Sequence, residues 1–238
     1  MPSLHSLQDT FKISSKNIMC GIFGYLGNDK DAAQKVLEGL KKLEYRGYDS
    51  WGIAVLSGDK VVVEKRVGRI GKANVDLPES TLGIGHTRWA THGGVTVENA
   101  HPHSDCNLKI AVVHNGIVEN FQDLRDDLLE KGHKFVSETD TEVVPHLIEE
   151  FMKTNNFVDS CREAFNKLTG LNAFVATCVD SSEIVACKSG SPLVVGIGQG
   201  ELFIASDAVG ILKHTRKVVF ISDNQMAVLG KSLSLFDL

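Results

Sequence analysis

The chain has 238 residues, which fits one large domain or two small ones with a sizeable core. Hydrophobic residues make up 42% and charged residues 23%, an ordinary globular composition, and the net charge of −5 gives no reason to expect a nucleic acid or an anionic membrane as partner. No apolar run approaches the roughly 18 residues of a membrane span. Five scattered cysteines without a C-x-x-C pair favour a reducing compartment, so we expect a cytoplasmic protein.

The first residues differ in character from the rest. Residues 1–18 are rich in Ser and Lys and contain neither the apolar segment nor the small-residue cleavage site of a secretory signal. We therefore interpret residues 1–19 as an extension, or as a segment before the true start at Met19, that is absent or disordered in the working protein. Residues 20–238 are expected to form the folded domain.

Periodicity predicts many strands and a few helices in that domain. Short runs rich in β-branched and aromatic residues predict strands at 22–26, 52–56, 61–65, 82–87, 109–114, 173–179, 183–187, 192–197, 201–205, 218–222 and 226–230. Apolar residues at helical spacing predict helices at 33–43, 118–128, 143–151 and 157–168. Gly132 is expected to end the second helix, and Thr139 with Glu142 to form a capping box before the third. We expect one α+β domain of two stacked sheets with helices outside.

Cys20 follows Met19 at the head of the first strand. If translation starts at Met19, removal of that Met leaves Cys20 with a free α-amine, whose pKa is about 7.7–8. A thiol with a pKa of about 8.5 needs a nearby base to become a strong nucleophile, and an N-terminal Cys would carry both groups. The same pattern also fits a buried, inert cysteine.

The densest polar stretch is GHTRWATHGGVTVENAHPH at 85–103, predicted to leave a strand and enter a loop. A zinc site is one interpretation of its histidines and their neighbours, His86, His92, His101, His103, Cys106 and His114. The spacing lacks H-E-x-x-H and paired C-x-x-C patterns, so we expect hydrogen-bonded histidines and no metal.

Three further stretches each allow a structural and a functional interpretation. Arg88 is either a surface charge or a residue whose guanidinium group binds a substrate carboxylate through two hydrogen bonds. Asn115-Gly116 is either a plain turn or an amide and a backbone N–H aimed at one oxygen, as in an oxyanion hole. The acidic stretch at 137–142 either caps a helix or binds a substrate ammonium group.

Taken together, six motifs in this order resemble the glutaminase domain of class II glutamine amidotransferases, which are N-terminal-nucleophile hydrolases. The resemblance runs from Cys20 to the C-terminus, and the residues of the motifs are most similar to those of the amino-sugar branch of the family. The motifs are CGIFGYLG at 20–27, EYRGYDS at 44–50, GHTRWATHGGVTVENAHPH at 85–103, VVHNGIVEN at 112–120, SETDTEV at 137–143 and SGSPLVVGIGQGELFIASD at 189–207. The resemblance implies a four-layer αββα sandwich and no cofactor.

The resemblance also implies residue roles. Cys20 would attack the side-chain amide of L-glutamine to form a thioester, with its own α-amine as base, and Asn115 and Gly116 would form the oxyanion hole. Arg88 would bind the substrate α-carboxylate and Asp140 its α-ammonium group. The closing loop would include Trp89, Thr91 and His92.

The expected function is hydrolysis of glutamine to glutamate and ammonia. The resemblance implies that the ammonia aminates fructose 6-phosphate to glucosamine 6-phosphate on sugar-isomerase domains, in a longer chain or a separate subunit, and that the full-length enzyme is a homodimer. Two alternatives remain: a non-catalytic glutamine-binding or regulatory domain whose Cys20 is blocked by the extension, and a metal-dependent amidohydrolase.

Overall fold

A computed structural model describes residues 20–90 and 93–238, so the interpretation of residues 1–19 lies outside the described residues. The strands are β1 Gly21–Leu26, β2 Ser50–Ser57, β3 Lys60–Val67, β4 Leu82–Arg88, β5 His103–Ser104, β6 Ile110–Gly116, β7 Asn172–Cys178, β8 Ile184–Ser189, β9 Val194–Ile197, β10 Leu202–Ala205, β11 Val218–Phe220, β12 Gln225–Leu229 and β13 Leu233–Asp237. The helices are α1 Ala32–Leu43, α2 Phe121–Glu130, α3 Val143–Phe151 and α4 Phe157–Lys167.

The strands form two antiparallel sheets. The first has seven strands in the order β11-β9-β10-β1-β4-β2-β3, and the second has six in the order β13-β12-β8-β7-β6-β5. β1 therefore lies inside its sheet, between β10 and β4. Residues at the head of β1 are flanked by strands on both sides, which restricts what can approach Cys20.

Three hydrophobic layers account for the stacking of the elements. One fills the space between the sheets, with Ile22 and Ile84 facing Val113 and Val175. A second joins the outer face of the first sheet to α1, and a third joins the second sheet to α2, α3 and α4. The predicted αββα four-layer sandwich is confirmed. Many strands are apolar throughout because both of their faces are covered.

Within the described residues, no helix combines the length and apolar character needed to cross a membrane.

The predicted elements agree with the structure except in three places. The short β5 and the edge strand β13 were not predicted, and the expected capping box is wrong. Thr139 makes no side-chain cap, and the Glu142 carboxylate instead accepts hydrogen bonds from the backbone N–H groups of Val136 and Ser137 at 2.7 and 2.6 Å. Glu142 thus stabilises the segment before the helix rather than the helix start.

The packing of α1 on the first sheet depends on a glycine in the middle of the helix. A Cβ at Gly39 would overlap the ring of Phe23, which projects from β1 into the layer beneath α1. Glycine normally weakens a helix interior by roughly 0.5–1 kcal/mol relative to alanine. Here it lets helix and sheet approach closely.

We predict that Gly39→Ala lowers the free energy of unfolding by about 1–3 kcal/mol, because overpacking at Phe23 outweighs the gain in helix propensity. Urea denaturation of the parent and variant measures this change. The Phe23→Leu background is the control, and the same substitution should cost less there. A stabilised Gly39→Ala chain would contradict the packing argument.

Candidate active site

Cys20 immediately precedes β1, and the backbone of that strand is held by one hydroxyl group from β4 and one from the residue that follows β10. The N–H of Gly21 donates to Thr87 Oγ1 at 3.1 Å, and the N–H of Ile22 donates to Ser206 Oγ at 3.0 Å. A Cβ at Gly21 would lie 2.5 Å from that threonine oxygen, so the close approach requires glycine. These contacts fix the direction in which the chain presents Cys20.

The carbonyl oxygen of Cys20 accepts two side-chain hydrogen bonds. Arg46 Nε donates at 3.2 Å from the short 3-10 turn after α1, and Asn115 Nδ2 donates at 2.9 Å from β6 of the second sheet. Because Cys20 leads into β1 and Asn115 lies in β6, the cysteine backbone is attached to both sheets. Arg46 also lies 3.6 Å from the Asp207 carboxylate, which holds the guanidinium in place.

The Cys20 thiol lies against the end of β4. The N–H of Trp89 donates to Cys20 Sγ at 3.1 Å. Burial raises the pKa of the Cys20 thiol above its ordinary value, although the Trp89 N–H and the positive charges of Arg88 and Arg46 act in the opposite direction. At neutral pH the sulfur therefore carries its proton and needs a base to become a nucleophile.

Asn115 is held by a histidine that the sequence analysis did not assign to the site. His86 Nε2 lies 3.0 Å from Asn115 Oδ1, and because an amide oxygen only accepts, Nε2 carries the proton. Burial lowers the pKa of His86 to about 3, so the ring is neutral at pH 7. Its place in β4, opposite β6, could not be read from sequence spacing.

Gly116 follows Asn115 with a φ of +136°, and a Cβ there would overlap the backbone carbonyl of Leu171. Glycine is therefore required at this position for backbone conformation as well as for space. The structure thus places Asn115 and Gly116 side by side at the end of β6, where Asn115 contacts Cys20.

Arg88 and Asp140 are both buried; the charge of Arg88 acts on the Cys20 thiol, and that of Asp140 acts on Arg88. Arg88 Nη1 donates to the carbonyl of Gly94 at 3.1 Å. Burial lowers the pKa of Arg88 while Cys20, Asp140 and other acidic neighbours oppose this. Asp140 Oδ2 accepts from the N–H of Val118 at 2.7 Å, so that oxygen is fixed in direction.

The segment after Arg88 is held by the EYRGYDS loop. The ring of Trp89 packs edge-on against Tyr48 at 5.1 Å between centroids, and the N–H of Ala90 donates to Asp49 Oδ2 at 3.0 Å. A Cβ at Gly47 would lie 2.7 Å from the backbone of Arg88, so glycine allows close approach there, and the Gly47 N–H also closes the short 3-10 turn on the carbonyl of Glu44. The predicted site residues Thr91 and His92 lie outside the described residues.

Two other histidines of the polar stretch, and His114 in β6, are buried and hydrogen-bonded. His103 Nε2 lies 3.0 Å from Thr139 Oγ1, and His114 lies 2.8 Å from Thr141 Oγ1. His101 stacks on His86 at 4.2 Å between centroids and accepts from the N–H of His114 through Nδ1 at 3.3 Å. Burial lowers the pKa of each of these rings, and the neighbouring histidines add to this for His101.

We predict that this histidine group destabilises the chain in mild acid. A neutral buried His has a folded pKa below its unfolded value of about 6.5, so its stabilising contribution is present above that pH and is lost as the pH falls. Each such group contributes a slope of up to about 1.4 kcal/mol per pH unit. His101→Asn keeps an acceptor for the His114 N–H and removes one titrating group, so its unfolding free energy should vary less between about pH 6 and 4.5. Parallel curves for parent and variant in denaturant titrations would contradict this.

Comparisons with known proteins agree with this geometry. A family profile described as the glutamine amidotransferase domain matches residues 86–213. Glutamine–fructose-6-phosphate aminotransferase (isomerizing) from Thermococcus kodakarensis is 49% identical over 219 residues, and the protein of the same name from Pyrococcus horikoshii is 50% identical over 220 residues. Each match covers 90% of this chain and 36% of the relative, so the chain spans about a third of the length of these relatives.

The fold has counterparts among solved structures. Glutamine phosphoribosylpyrophosphate amidotransferase from B. subtilis, complexed with ADP and GMP, superposes with a TM-score of 0.78 at 25% identity, covering 92% of this chain and 49% of that one. The family profile spans more than half of the chain, and the two stacked sheets match those of this amidotransferase. This chain therefore belongs to the class II glutamine amidotransferase family.

Proposed function

We propose that the domain formed by residues 20–238 hydrolyses the side-chain amide of L-glutamine, with Cys20 as nucleophile. The observation that carries this proposal is the set of contacts around Cys20. Its sulfur accepts the Trp89 N–H at 3.1 Å and its carbonyl accepts the Asn115 amide at 2.9 Å. In a family of glutamine amidotransferases, a cysteine held in this way, with the charge of Arg88 acting on its thiol, is the best candidate for attack on an amide.

The proposed reaction needs the free α-amine of Cys20. The amine takes the thiol proton, the sulfur attacks the amide carbon, and the carbonyl oxygen becomes an oxyanion. Asn115 Nδ2 and the Gly116 N–H donate to that oxyanion, and the proton moves to the amide nitrogen, which leaves as ammonia with formation of a thioester. Water then attacks the thioester, and glutamate and the thiol are released.

Charge supports the proposed recognition of glutamine. The substrate carries an α-carboxylate and an α-ammonium group, and Arg88 and Asp140 supply the complementary pair from two different segments. A buried guanidinium binds a carboxylate bidentately, and a carboxylate accepts from an ammonium group in a charge-assisted hydrogen bond. Trp89, Thr91 and His92 complete the proposed site as the loop that closes over the substrate.

We extend the proposal to the fate of the ammonia from the names of the relatives. At 49% and 50% identity these are glutamine–fructose-6-phosphate aminotransferases, so ammonia would aminate fructose 6-phosphate to glucosamine 6-phosphate. The acceptor step requires sugar-isomerase domains, in a longer chain or a separate subunit. We further propose that the full-length enzyme is a cytoplasmic homodimer.

Protein that begins at Cys20 is predicted to release glutamate from glutamine, because its α-amine is available as base. Protein that retains residues 1–19 should turn over far more slowly, because a peptide nitrogen cannot take that proton. The assay is glutamate release, with intact mass and N-terminal sequencing of each preparation. Cys20→Ala is the control for contaminating glutaminase, and fructose 6-phosphate is added to test for an acceptor site in this chain.

Two results would contradict the mechanism. Full activity from protein whose mass includes Met1 would exclude the free amine as base. Glutamine binding without turnover by the chain that begins at Cys20 would favour a glutamine-binding or regulatory domain instead.

A separate outcome concerns the acceptor. Turnover stimulated by fructose 6-phosphate would place an acceptor site within these 238 residues.

Asn115→Ala is predicted to reduce kcat on the order of 10²–10³-fold, because one oxyanion donor is lost. KM should change little, since that contact strengthens only as the tetrahedral intermediate forms. The exposed Asn155→Ala variant on the helical side is the matched control and should keep parental kinetics. An Asn115→Ala chain that changes only KM would place Asn115 in substrate binding.

A further inference from the structure

A second cluster of reactive side chains lies in and beside the helical layer, away from Cys20. Cys106 is in the turn between β5 and β6, His133 follows the end of α2, and His146 and Glu149 are three residues apart on α3. One ligand-capable atom from each of the four side chains lies within 4.8 Å of all the others. The two histidines are buried, Glu149 is half-buried and Cys106 is exposed.

The two S–N and two N–O distances in this cluster are close to those of a tetrahedral metal site. Cys106 Sγ lies 3.7 Å from His133 Nδ1 and 3.6 Å from His146 Nδ1. Glu149 Oε2 lies 3.0 Å and 3.5 Å from the same two nitrogens. Tetrahedral zinc, with bonds of about 2.3 Å to sulfur and 2.0–2.1 Å to nitrogen and oxygen, requires S–N separations of roughly 3.6 Å and N–O separations of roughly 3.3 Å.

Hydrogen bonding alone does not explain this convergence. A histidine N–H points at one acceptor, whereas each Nδ1 atom here faces both the sulfur and the carboxylate oxygen. Glu149 is also fixed from behind, since Asn107 Nδ2 donates to its other oxygen, Oε1, at 2.7 Å. Oε2 faces the two imidazoles and also accepts the backbone N–H of Cys106 at 3.3 Å, which orients it toward the cluster.

The far side of each imidazole faces a carboxylate. His133 Nε2 lies 3.2 Å from Glu150 Oε2, and His146 Nε2 lies 3.9 Å from Glu142 Oε1. Metal-ligating histidines almost always donate their other N–H to a carboxylate, a carbonyl or water, which fixes the tautomer and ring orientation. The first pair is within hydrogen-bond distance, and the second is within ion-pair distance.

The sulfur also has a donor suited to a thiolate. The backbone N–H of Lys134 points at Cys106 Sγ at 3.4 Å. Such a donor stabilises a thiolate ligand more than it stabilises a neutral thiol.

We propose that Cys106, His133, His146 and Glu149 bind one zinc ion in a structural site. A ligand set with a thiolate and two imidazoles suits Zn²⁺ rather than Mg²⁺ or Ca²⁺, which take oxygen ligands. Four protein ligands fill a tetrahedral coordination shell, so no position is open for a reacting water, as is typical of structural zinc.

The proposed ion would join three segments that are far apart in the chain. It would connect the turn before β6, the segment after α2 and the helix α3. The segment that begins at His133 runs on to Asp140, so the ion would restrain the path leading to that carboxylate. It takes no part in the chemistry at Cys20, and this proposal does not depend on the proposed glutaminase activity.

Metal content tests the proposal directly. Untagged full chain, purified from cells grown in zinc-supplemented medium, should contain about one equivalent of zinc by plasma mass spectrometry, because the four ligands define one site. Cys106→Ser and His146→Gln should lose most of that zinc. Cys20→Ala is the matched control, since Cys20 is the other cysteine that is not fully buried, and it should retain the zinc.

Cobalt substitution tests the ligand set in the parent, whether or not the variants fold. Apo-chain titrated with Co²⁺ should show the strong visible bands of a tetrahedral ion and a thiolate-to-cobalt charge-transfer band. Cys106→Ser should lack the charge-transfer band. Glu150→Gln removes the charge behind His133, together with the surface ion pair to Lys153, and should weaken zinc binding about 10–100-fold.

Three outcomes would overturn the proposal. One is a zinc-free parent whose apo form gives no charge-transfer band with Co²⁺, which would leave the cluster as a hydrogen-bonded ion-pair network. Another is zinc retained in both Cys106→Ser and His146→Gln, which would place the ion elsewhere. The third is a melting temperature of the parent that a chelator leaves unchanged, since a structural ion stabilises the fold to which it binds.

Discussion

The arrangement of the active site depends on the carbonyl oxygen of Cys20. It accepts hydrogen bonds from Arg46 and from Asn115, and because Cys20 leads directly into β1 while Asn115 lies in β6, the nucleophile is attached to both sheets at once. Because Asn115 belongs to the second sheet, the stacking of the two sheets decides where its amide lies relative to the sulfur. A shift between the sheets would therefore disturb the position of the thiol and that of its proposed oxyanion donor together.

This arrangement buries the polar side chains of Asn115 and His86 between the sheets. Asn115 is almost fully buried, and an unpaired amide there would cost about 1–3 kcal/mol. His86 satisfies the amide oxygen, but the His86 Nδ1 atom has no hydrogen-bond partner among the described residues. Burial keeps this ring neutral, and the amide oxygen of Asn115 selects the tautomer with its proton on Nε2. The chain thus accepts one unsatisfied atom in order to orient the side chain that contacts Cys20.

Local sequence patterns predicted most of the helices and strands, because the spacing of apolar residues shows whether one face of an element is buried or both faces are. The four helical stripes became α1 to α4, and the apolar runs became the strands that cover the three hydrophobic layers. The missed elements have weak patterns, since β5 is two residues long and β13 is a mostly exposed edge strand. The predicted capping box is wrong because the Glu142 carboxylate accepts hydrogen bonds from the backbone N–H groups of Val136 and Ser137. The spacing between Thr139 and Glu142 does not reveal this alternative.

The sequence by itself determined the family, the four-layer class and the candidate residues around Cys20, because ordered motifs and hydrophobic periods are local properties of the chain. Only the tertiary structure decided which polar residues meet. His86 contacts Asn115 across the interface between the sheets. Cys106 lies beside His133 and His146, and not beside the histidines that are near it in sequence. The sequence analysis expected no metal because it compared only residues that lie close together along the chain. Metal ligands and hydrogen-bond partners are selected by distance in space, and the stacking of strands and helices sets that distance.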